Sequence, residues 1–131
     1  MPPTLLEKQQ QFSRTAGLFL AWMAEQNYHW TMGDMWRSTD ELKCPHCGNT
    51  TTYQALLQFN GRSQILRSKH NDRLAMDIIL FMDTNTLAPP ENYRPIGLKW
   101  EALGGKWSGR FGVSKQHHDS LIGWDPGHLE L

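Results

Sequence analysis

The most apolar run of the chain reads Leu74-Ala75-Met76-Asp77-Ile78-Ile79-Leu80-Phe81-Met82, and Asp77 is its only charged residue. Its short length and its branched side chains favour a buried strand over a helix. Burying a carboxylate in such a strand costs free energy unless the carboxylate pairs with a charge or binds a metal. The run therefore predicts a core strand and leaves two interpretations of Asp77 open, a structural ion pair and a metal ligand.

The segments around this strand predict helices as well as further strands. Thr4 followed by Glu7 is the pattern of a helix-capping box, and the apolar spacing beyond it predicts a helix that ends before Asn27. Residues 28–36 then alternate as a strand does, with a bulge or turn at Gly33-Asp34. Elsewhere we expect loops over 38–52 and 85–95, helices over 53–59 and 96–103, and strands near 110–113 and 128–131. This order predicts a single α+β domain over residues 1–131.

Composition limits the function classes. The chain has 131 residues and a formal net charge of zero, with 13 Lys and Arg against 13 Asp and Glu. The length suits one domain, and neutrality argues against nucleic-acid binding, which usually needs a basic surface. The longest apolar stretch near the N-terminus, residues 16–24, is too short to span a membrane and lacks the flanks of a signal peptide. We therefore expect no membrane insertion and no signal peptide.

Two histidines could complete a metal site with Asp77. His70 lies shortly before the strand, where an exposed loop histidine is the plainer interpretation. His128 and Glu130 alternate along a predicted final strand, so their side chains point to one face. Two histidines and one aspartate form a ligand set for catalytic zinc, which keeps a fourth position open for water. A further carboxylate beside that water, such as Asp125, could act as general base.

These residues, in this order, resemble a known peptidase family. Ser68-Lys69-His70, then Ala75-Met76-Asp77, then Asp125-Pro126-Gly127-His128-Leu129-Glu130 is similar to the pattern of the zinc D,D- and L,D-peptidases of peptidoglycan. That pattern is Ser-x-His, a later Asp, and an acidic residue shortly before a second His. The family includes D-Ala-D-Ala carboxypeptidases and dipeptidases, and phage endolysins that cut the L-alanyl-D-glutamate bond.

The resemblance implies a fold, a metal and an activity. The implied fold is Hedgehog/D,D-peptidase-like, a small and mainly antiparallel sheet packed with helices. One catalytic Zn²⁺ would be bound by His70, Asp77 and His128, and Asp125 would be the catalytic base. The implied activity is zinc-dependent hydrolysis of peptidoglycan stem peptides. An aspartate base favours the L-alanyl-D-glutamate endopeptidases, because the D-Ala-D-Ala enzymes more often use glutamate.

Four further positions bear on the predicted site. Arg37, after the first predicted strand, matches the family's oxyanion-stabilising arginine. Ser68 and Glu130 are candidates to orient the metal ligands, although an exposed terminal carboxylate is an equally good interpretation of Glu130. Arg73 is a departure, since the family usually has glycine there, and it could reshape the loop beside the metal or place a cation near the substrate.

The implied setting is that of a phage endolysin. Such an enzyme would stay in the host cytoplasm until a holin released it to the cell wall or periplasm, and we expect it to be a monomer. Two alternatives remain open: a D-Ala-D-Ala carboxypeptidase or dipeptidase, and a non-catalytic zinc-binding domain, because the related Hedgehog signalling domain shares this fold.

Cys44 and Cys47 form an isolated CxxC motif in the predicted 38–52 loop insertion. The motif supplies half of a structural zinc site, and no second CxxC exists. A histidine could complete the site, the candidates being His29, His46, His117 and His118. The alternatives are a disulfide formed after export and a redox pair.

Overall fold

A computed structural model describes residues 1–35, 41–43, 45–52 and 69–131 of the chain. The α-helices in this part are α1 (Leu5–Glu25) and α2 (Arg94–Ala102). The strands are β1 (His29–Met32), β2 (Glu41–Lys43), β3 (Thr50–Thr52), β4 (Ala75–Phe81), β5 (Lys106–Trp107) and β6 (His128–Glu130). Short 3₁₀ turns lie at Pro90–Tyr93, Ser108–Arg110 and Lys115–His117.

Four strands form one antiparallel sheet in the order β1-β4-β6-β5. The apolar run became β4, which lies inside the sheet between β1 and β6. A central strand must be apolar on at least its core face, which accounts for the composition of this run. β2 and β3 pair with each other in a separate two-stranded sheet. The predicted α+β class and the mainly antiparallel sheet are confirmed.

One face of the sheet is covered by the helices. Met76, Ile78 and Leu80 of β4 are at most 2% exposed, since alternate residues of a strand point to the same side. α1 and α2 meet over this face, where the Phe19 ring packs edge-on against Trp100 with ring centroids 5.5 Å apart. The core comprises Phe12, Ala16, Phe19, Met23, Leu74, Met76, Ile78, Leu80, Ile96, Trp100, Trp107 and Leu129.

The predicted capping box begins α1. The Glu7 backbone N–H donates to Thr4 Oγ1 at 3.2 Å, and the Thr4 backbone N–H donates to Glu7 Oε2 at 2.7 Å. The helix ends at Glu25, and Asn27 takes a positive φ of 59° where the chain turns into β1. Among the described residues, no helix combines the length and the apolar content that crossing a bilayer requires.

The segment predicted as a loop over 38–52 contains β2 and β3, so that prediction was wrong. Lys43 pairs with Thr50 across the two strands. Each strand has only three residues, too few for apolar alternation to reveal it in the sequence. The helix predicted over 53–59 lies outside the described residues.

Two boundaries also differ from expectation. α2 begins at Arg94 rather than in the 96–103 range, because Pro95 fits the first helical turn, where its missing N–H is not needed. The strand expected near 110–113 is absent from the described chain. Lys106 and Trp107 pair with β6 instead, and the chain then enters the 3₁₀ turn at Ser108–Arg110.

Candidate metal centre

The pairing of β4 with β6 places Asp77 directly opposite His128. The adjacent pair, Met76 and Leu129, is completely buried in the core. Since successive residues of a strand point to opposite faces, Asp77 and His128 both project from the face that the helices leave uncovered. Glu130, two positions after His128, lies on that same face.

His70 approaches this pair from the turn that precedes β4. The Leu74 N–H donates to the Lys69 carbonyl at 2.9 Å and the Arg73 N–H to the His70 carbonyl at 3.3 Å, which closes the turn. The His70 side chain is only 1% exposed, so it is not the exposed loop histidine that was the plainer interpretation.

The turn requires an unusual backbone conformation at Arg73. Its φ is 58°, in the left-handed region that glycine adopts at least cost. This is also the position at which the family resemblance led us to expect glycine. Arg73 therefore takes a conformation that glycine favours, and the substitution does not prevent the turn from bringing His70 to the sheet.

Three donor atoms converge in this group. Asp77 Oδ1 lies 3.1 Å from His70 Nε2 and 3.1 Å from His128 Nδ1, and the two nitrogens are 3.2 Å apart. Among the described residues, these three side chains are the one group of His, Cys, Asp or Glu that could hold a metal ion. The structure thus gathers the three residues for which the sequence predicted metal binding.

The spacing and chemistry of the three atoms fit a divalent metal. Ligands about 2.0–2.1 Å from a tetrahedral Zn²⁺ are about 3.3–3.4 Å from one another, close to the separations found here. Hydrogen bonds alone satisfy the group poorly: if both ring nitrogens donate to Asp77, two N–H groups face each other. A cation attracts all three lone pairs at once, and imidazole and carboxylate are ligands that zinc accepts.

The same proximity shifts the pKa of Asp77. Burial by itself raises the pKa of this carboxyl, but hydrogen bonds from His128 and His70 and their positive charge outweigh it and lower the pKa to about 2. Asp77 is therefore an anion at every physiological pH, as a metal ligand has to be.

His128 is shifted in the opposite sense. Burial lowers the pKa of its imidazole, but hydrogen bonds to Asp77 and Glu130, with the negative charge of Asp77 and Asp125, raise the pKa to about 9. In the metal-free protein, the carboxylates around His128 therefore hold a proton that a metal would have to replace.

Glu130 and Asp125 lie on either side of His128 along the chain. His128 Nε2 is 3.3 Å from Glu130 Oε2, so the ring can donate to Glu130 while Nδ1 faces Asp77 and His70. This is the arrangement in which a carboxylate orients a metal-binding histidine. Asp125 is half-buried in the turn before β6, close enough for its charge to act on His128. Asp125 does not belong to the three-residue metal group.

Gly33 shapes the other side of Asp77. Its N–H donates to the Asp77 carbonyl and the Asp34 carbonyl accepts from the Asp77 N–H, both at 2.8 Å. Two residues thus oppose one, as in a β-bulge. A Cβ atom at Gly33 would lie 3.0 Å from Asp77 Cβ, so the close approach of this edge depends on glycine.

Three predicted site residues, Arg37, Ser68 and Cys44, lie outside the described residues. Cys47 is exposed in the turn between β2 and β3. Of the histidines proposed to complete a second site, His118 is placed with its Nε2 3.1 Å from the Val113 carbonyl.

Two tryptophans of the buried core, Trp107 and Trp100, also contact the backbone of the site. Trp107 Nε1–H donates to the Pro126 carbonyl at 2.7 Å, and Trp100 Nε1–H donates to the Glu130 carbonyl at 2.9 Å. Donor and acceptor are far apart in sequence in both cases, so no local pattern could have indicated these bonds.

Fold and site together define a class. The protein is a small α+β domain whose antiparallel sheet is covered by helices on one face and carries a buried His-Asp-His group on the other. A solved structure of similar fold is the Serratia marcescens L-Ala D-Glu endopeptidase ChiX, with a TM-score of 0.59 and 19% sequence identity. The alignment covers 93% of this chain and 78% of that chain. At this identity the likeness is one of fold. No family model matches the chain, and no curated protein matches it.

Proposed function

We propose that the protein is a zinc-dependent peptidase that hydrolyses peptidoglycan stem peptides. The observation that carries the proposal is the triangle of His70 Nε2, Asp77 Oδ1 and His128 Nδ1, with sides of 3.1 to 3.2 Å. The fold that holds this triangle is similar to that of an L-Ala D-Glu endopeptidase. Fold alone does not determine chemistry, so the donor geometry is the stronger support.

When bound, zinc supplies Lewis acidity, which polarises the scissile carbonyl and lowers the pKa of water. Asp125 takes the proton of the attacking water and returns it to the leaving amine. Glu130 accepts a hydrogen bond from His128 Nε2 and so keeps Nδ1 directed at the metal position. Arg37 is proposed to stabilise the oxyanion, as the family resemblance implies, and Ser68 is proposed to help orient the metal ligands.

The same resemblance suggests the bond that is cut and the setting. Asp125, rather than glutamate, favours the L-alanyl-D-glutamate bond over D-Ala-D-Ala. We further propose the role of a phage endolysin, a monomer that reaches the wall when a holin releases it from the host cytoplasm. The half-buried carboxylate of Asp125, whose charge acts on His128, supports a catalytic protein over a non-catalytic zinc-binding domain.

The experiment is cleavage of purified muropeptides, with the new termini identified by mass spectrometry. We expect cleavage that a chelator abolishes and Zn²⁺ restores. Asp125→Asn should retain zinc and lose at least about 100-fold in kcat, since it removes the general base. The matched control is Asp119→Asn, which neutralises an exposed aspartate outside the metal group and should cleave at the wild-type rate.

The outcomes separate the alternatives. New termini at D-Ala-D-Ala would identify the carboxypeptidase or dipeptidase. Zinc binding without cleavage of any stem peptide would leave the non-catalytic domain. Full activity of Asp125→Asn would show that another group is the base.

A second zinc at Cys44 and Cys47 is a separate proposal. Two equivalents of zinc per chain, falling to one when both cysteines are replaced by serine, would support a structural knuckle. One equivalent, with activity unchanged in that variant, would contradict both the knuckle and a redox role for the pair.

A further inference from the structure

A single tight turn joins the proposed base to a proposed metal ligand. The His128 N–H donates to the Asp125 carbonyl at 3.2 Å, which closes a turn with Pro126 and Gly127 at its centre. The far side of the turn is tied to β4, because the Ile78 N–H donates to the Gly127 carbonyl at 2.8 Å. Any shift of this turn therefore moves Asp125 and His128 together.

The central peptide of the turn has one further partner, the indole of Trp107. Its Nε1–H donates to the Pro126 carbonyl at 2.7 Å, and the side chain is only 1% exposed. The donor of this part-buried bond is shielded from water, and loss of the bond removes a partner from the Pro126 carbonyl.

The Trp107 ring is closely packed by its surroundings. A Cβ atom at Gly97 of α2 would lie 2.1 Å from Cδ2 of the ring, and one at Gly109 would lie 2.1 Å from Cζ2. The Arg110 guanidinium lies over the ring at 5.1 Å from its centroid and is itself held by both carboxylate oxygens of Glu101. The backbone at two glycines and the Arg110 cation thus pack against the indole and restrict its movement.

We propose that Trp107 is a positioning residue, which holds the turn from Asp125 to His128 in the geometry that catalysis needs. The inference rests on the proposed function, because it assigns the base to Asp125 and a metal ligand to His128. Trp107 acts through the Pro126 carbonyl and does not itself reach the reacting atoms. A displacement of a catalytic group by about 1 Å can lower the rate about 100-fold. Loss of the hydrogen bond from Trp107 to the Pro126 carbonyl is therefore expected to lower the rate of cleavage.

Trp100 provides a matched control. It is equally buried, and its Nε1–H also donates to a backbone carbonyl of the same segment, that of Glu130, at 2.9 Å. That carbonyl lies on the opposite side of His128 from Asp125. Trp100→Phe and Trp107→Phe therefore remove the same chemical group from the same kind of environment, but only the second frees the turn.

The test compares the two variants by amide hydrogen exchange and by kinetics well below their unfolding temperatures. In the metal-free proteins, the His128 amide should lose at least tenfold more protection in Trp107→Phe than in Trp100→Phe, after correction for global stability. With zinc saturating, Trp107→Phe should lower kcat for the stem peptide about 10- to 100-fold with KM changed less than twofold. Trp100→Phe should change kcat less than threefold.

Each outcome decides the proposal. Equal loss of His128 protection in the two variants would overturn it, as would wild-type kcat in Trp107→Phe while the wild type cleaves. If the wild type cleaves nothing, the proposed function fails, and the exchange data still decide whether Trp107 holds the turn. Should Trp107→Phe not fold, benzothienylalanine at position 107 keeps the ring shape and replaces the N–H by sulfur, and the same thresholds apply.

Discussion

Metal binding should displace a proton from His128, and the structure sets the size of the effect. The pKa of His128 in the metal-free protein is raised to about 9 by Asp77 and Glu130, against an ordinary 6.5. At pH 7 protonated His128 then exceeds neutral His128 by about 100 to 1. The free energy of zinc binding is therefore about 2.7 kcal/mol less favourable than it would be with His128 already neutral. The affinity for zinc should therefore rise about tenfold per pH unit between pH 7 and 9 from this group alone.

The assay is a zinc titration against a competing chromophoric chelator between pH 6.5 and 8.5. Calorimetry at pH 7 in two buffers of different ionisation enthalpy should add a count of about one proton released per zinc bound. Asp119→Asn is the control, because it changes an exposed aspartate outside the metal group and should leave both results unchanged.

The sign of the stability effect follows from the same shift. A raised pKa in the folded state means that His128 stabilises the metal-free protein fully below pH 6.5, and that this stability is lost as the pH rises through about 9. Zinc affinity that changes less than about threefold from pH 6.5 to 8.5, or zinc binding without proton release, would contradict the proposed role of the carboxylates around His128.

Three further predictions concern the supports of the site and of the fold. Glu130→Gln should weaken zinc binding about 10- to 100-fold by removing the carboxylate that orients His128, and wild-type affinity in a chelator competition would argue against that role. Gly33→Ala should lower zinc affinity because its Cβ presses on Asp77, whereas Gly17→Ala, with nothing within 4 Å of the new Cβ, should leave affinity unchanged and raise the unfolding temperature. Thr4→Ala should lower the free energy of unfolding by about 1 kcal/mol in denaturant titrations and leave the kcat of cleavage unaltered, since the capping box lies at the start of α1.

Local pattern was sufficient where a residue's environment depends on its near neighbours. The capping box at Thr4 and the apolar run of β4 were both predicted from residues a few positions apart, and both are present. The alternation of His128, Leu129 and Glu130 likewise predicted which side chains share a face, because a strand has a period of two.

Pairing across the chain decided the rest. The β4–β6 register sets Asp77 opposite His128, and the positive φ of Arg73 turns His70 toward them. No short segment of sequence predicts either the register or the turn. Spacing along the chain could therefore suggest the three residues, but not the 3.1 to 3.2 Å distances between their donor atoms.

Tertiary contacts also gave unexpected roles to residues that composition marks only as apolar. Trp107 has the composition of a core residue and lies in the core, but its indole N–H also donates a hydrogen bond to the Pro126 carbonyl, 19 positions away. The sequence itself therefore determined that the apolar run is a buried strand. It also determined that Asp77 within the run needs a partner, because burying an unpaired carboxylate costs free energy. How the folded protein meets that cost was decided only when the sheet brought two histidines to within 3.1 Å of one Asp77 oxygen atom.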